Sequence, residues 1–214
     1  KGGSDGMLVI VGSEDGQAHV CHIKSKKLVA SLRHFNIPVN GSMTTSGNVG
    51  GDEETEYPMS VEAVGFSPSQ PNWCATGGVD GRLKIWDLSR DGQCRQVCSV
   101  TDAHANGDKI DSSTVSDSIT RLLWHPTLPF VFASTISGRV RVWDARNGIL
   151  LHTLTGGSTV EQINDMDIQF LPDGSAIVVT AGDDKIVRVF ELNVSALSQK
   201  EVTISTAADT AMSF

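Results

Sequence analysis

The cysteines and histidines are the residues best suited to metal or redox chemistry, and their spacing decides what they could do. The four cysteines are Cys21, Cys74, Cys94 and Cys98. None lies in a C-x-x-C pair, and no histidine stands at zinc-finger spacing from them. His19 and His22 are three apart, which on a strand turns them to opposite faces and makes a poor metal pair. We therefore expect neutral or buried thiols in a reducing compartment, with no metal and no cofactor.

Composition indicates a folded, acidic protein. The chain has 214 residues with 17 Lys+Arg against 25 Asp+Glu, a net charge of −8, and 39% hydrophobic residues, as in ordinary globular cores. It has no apolar run near the roughly 18 residues of a membrane helix. The acidic balance argues against direct duplex nucleic-acid binding. We expect no membrane association and a location in the cytoplasm or the nucleus.

The elements that must position these residues recur along the chain. Three segments share one pattern of apolar runs and turns, namely 61–88, 119–145 and 163–192, and a truncated copy precedes them at 7–23. Cys21, Trp86, Trp143 and Phe190 occupy equivalent positions, spaced 65, 57 and 47 residues apart. The shortest spacing is near the roughly 40–45 residues of one propeller blade.

Each copy has the pattern of short strands. Residues 82–86 and 139–143 alternate polar and apolar side chains, as in half-buried strands. Asp80-Gly81 and Ser137-Gly138 lie between apolar runs, where a tight hairpin turn needs positive φ. Short strands, hairpin turns and a repeat predict an all-β propeller.

The Trp86-Asp87 and Trp143-Asp144 dipeptides resemble WD repeats, the seven- or eight-bladed interaction propellers. The resemblance implies a network in which an inner-hairpin Asp bonds with a Ser or Thr, a His and the Trp. It assigns structural roles to seven residues: Asp80, Trp86, Asp87, His104, Trp143, Asp144 and Asp184. The chain departs from the pattern at Ser137, which replaces the hairpin Asp, and at Cys21 and Phe190, which replace Trp.

A closer resemblance concerns one WD-repeat group. Residues 77–88, 121–124 and 139–151 are similar to the C-terminal half of the angio-associated migratory cell protein group. Members carry an acidic Ser/Gly-rich insertion, and residues 36–60 occupy that place. The group includes a fungal chaperone dedicated to one large-subunit ribosomal protein.

The repeat count predicts about four blades, at 6–35 (partial), 61–101, 119–155 and 163–205, with 36–60 as the acidic insertion loop. The first blade lacks its innermost strand, and residues 202–205 are a candidate outer strand of the last. Since WD propellers close with about seven blades, we expect residues 1–214 to form part of a ring. The rest would come from upstream sequence or from another chain.

Sorting charges by loop predicts two unlike rims. We letter the four strands of a blade a to d from the centre outwards. The loops between strands b and c and the loops between blades lie on one rim. They carry 14 acids against Lys109 and Lys185, a net charge of about −12. The opposite rim has a net charge of about +4. Three of the 14 acids, Asp15, Asp80 and Asp184, fit a role as hairpin formers. The other eleven, here called the acidic rim, are Glu14, Asp52, Glu53, Glu54, Glu56, Asp102, Asp108, Asp111, Asp117, Glu161 and Asp183.

These features favour a non-enzymatic protein-interaction propeller. Carboxylates around a rim can steer a Lys/Arg-rich protein such as a ribosomal protein; the plainer interpretation is solvated loops. The resemblance implies a chaperone-like role in large ribosomal subunit assembly, and the alternative is a scaffold in cell migration or signalling. An enzyme would need convergent polar groups in the central channel. The apolar pattern predicts that this channel is lined by the strands at 61–66, 119–124 and 166–170. They offer Glu62, Arg121 and Asp167, which form no nucleophile–base pair that we can identify.

Overall fold

The computed structural model describes residues 7–35, 60–99, 117–156 and 161–197. Within them the chain forms fourteen strands in four antiparallel sheets. Sheet 1 has three strands: β1 (Leu8–Gly12), β2 (Gln17–His22) and β3 (Lys27–Arg33). Sheet 2 has four: β4 (Val61–Phe66), β5 (Trp73–Gly78), β6 (Leu83–Asp87) and β7 (Gln93–Cys98), with a short 3-10 turn at Leu88–Arg90.

The second half of the chain continues the same plan. Sheet 3 has four strands: β8 (Ile119–Trp124), β9 (Phe130–Thr135), β10 (Arg139–Asp144) and β11 (Leu150–Thr155). Sheet 4 has three: β12 (Ile163–Phe170), β13 (Ser175–Gly182) and β14 (Val187–Asn193). No helix in the described ranges is long and apolar enough to cross a membrane. Residues 36–59 of the predicted insertion and the candidate strand at 202–205 lie outside the described residues.

Hairpins join successive strands within each sheet, and local sequence explains them. Gly81 and Gly138 have φ of 72° and 71° in the turns between the second and third strands of sheets 2 and 3. A residue with a Cβ rarely adopts this left-handed region. The predicted hairpins are therefore present, and the alternating residues between them become strands with one face in the core.

The four sheets pack face to face around one axis. Their innermost strands β4, β8 and β12 lie side by side. One apolar cluster fills each of the three spaces between neighbouring sheets. Phe130 and Phe132 of sheet 3, for example, pack against Met166 and Val178 of sheet 4. This radial stacking confirms the all-β, WD-propeller prediction.

The innermost strands share a feature that the sequence pattern did not predict. Each pairs with its neighbour through a shifted register near its first residues, between Val61 and Ala63, Ile119 and Arg121, and Ile163 and Asp165. An extra residue of this kind is a β-bulge, which re-aims side chains. In sheet 4 the strand also begins at Ile163, three residues before the Met166 start that its apolar pattern suggested.

Candidate interaction rim

One rim of the stacked sheets carries the turns between the second and third strands and the described residues that flank the links between successive sheets. The structure describes four members of the acidic rim: Glu14, Asp117, Glu161 and Asp183. The other seven lie outside the described residues: Asp52, Glu53, Glu54, Glu56, Asp102, Asp108 and Asp111. The geometry below therefore concerns the four described acids and the hairpin acids beside them.

A buried network spans sheets 1 and 2 beneath this rim. The Trp86 indole Nε1 donates to Thr76 Oγ1 at 2.9 Å, and His34 Nδ1 lies 2.6 Å from the same oxygen. His34 Nε2 lies 3.2 Å from Asp80 Oδ1. With an imidazole proton on Nε2, the ring donates to Asp80 and the Thr76 hydroxyl donates to Nδ1, so every partner in the network is satisfied.

His34 is the residue that the sequence analysis missed. It follows the outer strand of the preceding sheet, 46 residues before Asp80, and its side chain is fully buried. The sequence analysis assigned this role to His104 alone, which lies outside the described residues. The position of His34 directly after β3 could have indicated this role, because the outer strand of one sheet ends beside the hairpin of the next sheet.

Asp80 is held as a carboxylate by this network. Partial burial acts to raise its pKa, but the contact with His34 and the Arg82 backbone N–H, which donates at 3.1 Å, outweigh that effect. The pKa of Asp80 therefore lies below its usual range. The Asp80 carboxylate therefore contacts groups of this protein and is not counted among the acids that could bind a partner.

In sheet 3, Ser137 stands where the other hairpins have Asp, and a different acid, Asp117, contacts this hairpin. Asp117, which precedes β8, accepts a hydrogen bond from the Ser137 backbone N–H at 3.0 Å. Its second oxygen lies 2.5 Å from Arg141 Nη2 and 3.9 Å from Arg139 Nη1. Asp117 was predicted as a partner-binding acid, but the structure places it in an internal ion pair with the nearly buried Arg141 side chain.

The hairpin acids of sheets 1 and 4 also lie beside side chains of β2 and β14. Asp184 Oδ2 lies 2.6 Å from Arg188 Nη1, and Asp15 Oδ2 lies 3.8 Å from His19 Nε2. His19, Arg141 and Arg188 each stand two residues before the Trp-equivalent position of the third strand. A charge count that considers loops alone leaves out these strand residues, which lie beside acids of those loops.

Three of the four described rim acids point to solvent. Glu14, Glu161 and Asp183 are exposed. Within the described ranges no ion pair involves them, although Asp183 Oδ1 accepts a hydrogen bond from Asn164 Nδ2 at 2.5 Å. On the innermost strand of sheet 4, Asp167 is exposed and Asp165 Oδ1 lies 2.8 Å from Arg121 Nε of sheet 3. Asp165 is therefore paired with a base, whereas no ion pair is recorded for Asp167 among the described residues.

The aspartates of the Trp-Asp dipeptides lie at the opposite rim and build turns. Asp87 Oδ1 accepts from the Ser89 backbone N–H at 3.0 Å and from its hydroxyl at 2.6 Å. The fully buried Asp144 accepts from the Arg146 backbone N–H at 2.8 Å. Trp86 and Trp143 beside them are buried between sheets. All four residues therefore hold the fold together.

Metal-ligating side chains do not cluster in the part of the chain that the structure describes. No group of three or more His, Cys, Asp or Glu side chains in them is arranged to hold a metal ion. All four cysteines are free thiols, as expected. Burial raises the pKa of Cys74 and of Cys98 to about 12, so both stay protonated at neutral pH.

The sheet geometry and the Trp86–Thr76–His34–Asp80 network define a class of protein. The family model for the WD domain, G-beta repeat, matches residues 55–87, 91–144 and 148–191, and the chain belongs to this family. It is 35% identical over 181 residues to the angio-associated migratory cell protein of Canis lupus familiaris and 34% identical to that of Homo sapiens. Each alignment covers 85% of this chain and 35% of the relative, so the chain spans about a third of their length.

Solved structures share the fold. Chaetomium thermophilum Sqt1, solved bound to the N-terminus of the ribosomal protein L10, matches with a TM-score of 0.63 at 22% identity, over 89% of this chain and 42% of that chain. Saccharomyces cerevisiae Sqt1 matches with a TM-score of 0.64 at 20% identity, over 88% and 42%. The predicted resemblance to the angio-associated migratory cell protein group is confirmed.

Proposed function

We propose that this chain is a non-catalytic interaction module that binds a Lys/Arg-rich protein through its acidic rim, as a chaperone-like factor in large ribosomal subunit assembly. The observation that carries the proposal is the division of the described acids into two sets. Asp80, Asp117 and Asp184 contact buried or partly buried side chains, whereas Glu14, Glu161 and Asp183 project from the rim loops toward solvent. Exposed carboxylates of this kind steer a cationic partner and set its orientation.

The relatives supply the class of partner. The Sqt1 structure that shares this fold was solved with the N-terminus of a ribosomal protein. The seven rim acids outside the described residues are proposed to bind the same partner. We also propose a cytoplasmic location, which could extend to the nucleus.

The proposal is tested by reversing the exposed rim charges. The triple variant Glu14→Lys/Glu161→Lys/Asp183→Lys should weaken binding of the L10 N-terminal peptide by about tenfold or more, since each exposed pair contributes ~0.2–1 kcal/mol and reversal adds repulsion. Isothermal titration calorimetry at two salt concentrations measures the effect. Binding should also weaken as salt rises.

Asp91→Lys is the matched control, because Asp91 is an exposed acid in the turn before β7 on the opposite rim. It should leave the affinity within about twofold. Equal losses in the control and the triple variant, or no loss in either, would refute binding at the acidic rim. A second variant, Glu53→Lys/Glu54→Lys/Asp108→Lys/Asp111→Lys, tests the rim acids outside the described residues in the same assay.

A scaffold role in cell migration is the second candidate, and the identity to the angio-associated migratory cell protein favours it. Its partners need not be basic. Affinity capture followed by mass spectrometry separates the two: ribosomal proteins support the chaperone proposal, whereas cytoskeletal or receptor-pathway proteins support the scaffold.

A further inference from the structure

The space between sheets 3 and 4 ends, on the rim opposite the acidic rim, in a cavity of about 610 Å³. Three turns line it: residues 125–128 after β8, residues of the turn at 170–175 that ends β12, and residues 194–195 after β14. The Gly174 carbonyl holds the second and third turns together, because it accepts from both backbone N–H groups of the third at 3.0 and 3.2 Å. The cavity therefore belongs to the contact between two described sheets and does not involve the outward faces of sheets 1 and 4.

The neighbouring space, between sheets 2 and 3, has a larger ring at the equivalent position. Trp124 ends β8 as Phe170 ends β12, and a proline stands two residues after each. The Trp124 indole crosses to sheet 2, where its Nε1 donates to the Gly65 carbonyl at 3.1 Å. Phe170 contacts His125 and Phe132 of sheet 3, with ring centroids 4.4 and 5.8 Å apart. The cavity thus lies beside a smaller aromatic ring that has no donor.

His125 brings to this cavity a donor for which the described residues provide no hydrogen bond. Its Nδ1 accepts from the Leu128 backbone N–H at 2.9 Å and from the Thr127 backbone N–H at 3.1 Å. The ring proton is therefore on Nε2. Burial lowers the pKa of His125, which keeps the ring neutral at pH 7. Since only 8% of the residue is exposed and a buried donor without a partner is costly, an acceptor on a ligand would stabilise this site.

The other lining groups select a neutral ligand. Apolar side chains such as Leu128, Phe170 and Val194 make up most of the lining, and no lining residue carries a formal charge. Asp173 of the second turn is not among them, because its carboxylate accepts from the Ser175 backbone N–H at 2.9 Å and from the Ser175 hydroxyl at 2.6 Å. A charged ligand would lose hydration here without gaining a counter-charge. The cavity therefore suits an apolar group that carries a hydrogen-bond acceptor.

We propose that this cavity binds a tyrosine side chain of a partner protein, with the ring against Phe170 and the hydroxyl oxygen accepting from His125 Nε2. Phenylalanine has no side-chain acceptor and tryptophan is a donor only, whereas tyrosine carries an acceptor oxygen on an apolar ring. Aromatic pairs in edge-to-face geometry gain energy beyond the area they bury, and the two lining rings already have this geometry. The inference stands apart from the rim proposal, since no rim acid lines the cavity.

Titration with N-acetyl-L-tyrosinamide, followed by proton–nitrogen correlation NMR of the 214-residue chain, tests the site. We expect saturable shifts of the Thr127 and Leu128 amides, which donate to His125, and of the Gly174 amide. N-acetyl-L-phenylalaninamide lacks the hydroxyl and should bind about fivefold more weakly, because one hydrogen bond is lost. Absence of saturable shifts at these amides, or equal affinity for the two probes, would overturn the proposal.

Two variants reproduce what sheets 2 and 3 have at the equivalent positions. His125→Ser copies Ser67, whose Oγ accepts from the Gln70 backbone N–H at 3.1 Å, so it keeps an acceptor for the turn and removes the ring donor. Phe170→Trp copies Trp124 and puts a larger ring beside the cavity. Each should weaken binding of N-acetyl-L-tyrosinamide by about fivefold or more.

Phe66→Trp is the matched control, because Phe66 ends β4 as Phe170 ends β12 and packs between sheets 1 and 2. It should leave the affinity within about twofold. Circular dichroism establishes that each variant is folded, and the comparison of the two probes on the parent chain needs no substitution. Folded His125→Ser and Phe170→Trp variants that bind as tightly as the parent would refute the site.

Discussion

The pairing of His34 with Asp80 shows how a single residue joins two sheets. The residues lie 46 positions apart, and the imidazole bridges the Asp80 carboxylate to Thr76 and so to Trp86. Each buried polar group in this set has a partner, which is the condition under which a buried network stabilises a fold. Removing any member leaves the others with unsatisfied hydrogen-bonding atoms.

The ionisation of Asp80 gives a prediction about pH. Its pKa is lowered in the folded protein from an ordinary value of 3.8, so the charged form stabilises the fold. That contribution is complete well above pH 3.8 and is lost as the pH falls through the folded pKa. At pH 5 the unfolding free energy of the parent should therefore exceed that of Asp80→Asn. The difference should narrow below pH 3.8.

Urea unfolding at each pH measures this difference. Glu14→Gln is the matched control, because Glu14 is exposed and has no internal ion pair among the described residues, so its profile should follow that of the parent. A gap between parent and Asp80→Asn that widens as the pH falls toward 3 would contradict the assignment.

At the scale of the elements, the hairpin between β5 and β6 depends on Gly81. Its φ of 72° lies in the left-handed region, and a Cβ there would come within 3.1 Å of the Asp117 backbone N and O. Gly81→Ala should therefore lower the unfolding free energy by about 1–2 kcal/mol from conformation alone, and by more from crowding. Thermal unfolding measures the loss.

Gly81→Asn separates the two causes, because Asn adopts the left-handed region more readily than Ala. If conformation dominates, Asn should be less destabilising than Ala. If contact with Asp117 dominates, Asn should be at least as harmful. A Gly81→Ala variant as stable as the parent would contradict both.

At the scale of the whole molecule, the sheets are joined by polar contacts as well as apolar clusters. Trp124 Nε1 of sheet 3 donates to the Gly65 carbonyl of sheet 2 at 3.1 Å, and both groups are buried. Trp124→Phe keeps most of the apolar contact and removes the donor. We expect a loss of about 1–3 kcal/mol in unfolding free energy, the cost of an unpaired buried carbonyl.

Trp73→Phe is the control for this change. The half-buried Trp73 ring lies 4.2 Å from the Arg95 guanidinium within sheet 2 and joins no other sheet through its indole N–H in the described hydrogen bonds. Phenyl is a weaker cation–π partner than indole, so this change should lower the unfolding free energy by about 0.5–1 kcal/mol. Equal losses for both variants in urea unfolding would show that the Trp124 hydrogen bond contributes little.

The sequence by itself determined the strands, the turns and the repeat. Alternation along residues 139–143 and the glycines at 81 and 138 act over a few residues, so their effect can be predicted without knowing the packing. The Trp-Asp dipeptides then predicted the family. The start of β12 was misplaced because Asn164 and Asp165 interrupt the apolar pattern at a bulge that only the pairing with β13 reveals.

Only the tertiary structure decided which charges are available to a partner. Asp117 and Arg141 are 24 residues apart in sequence, and no local pattern shows that they form an ion pair. The burial of Val140 and the exposure of Val187, which are equivalent in sequence pattern, differ because sheet 4 covers the first and no described sheet covers the second. Side-chain period sets which face of a strand is apolar, whereas stacking of the sheets sets whether that face is covered.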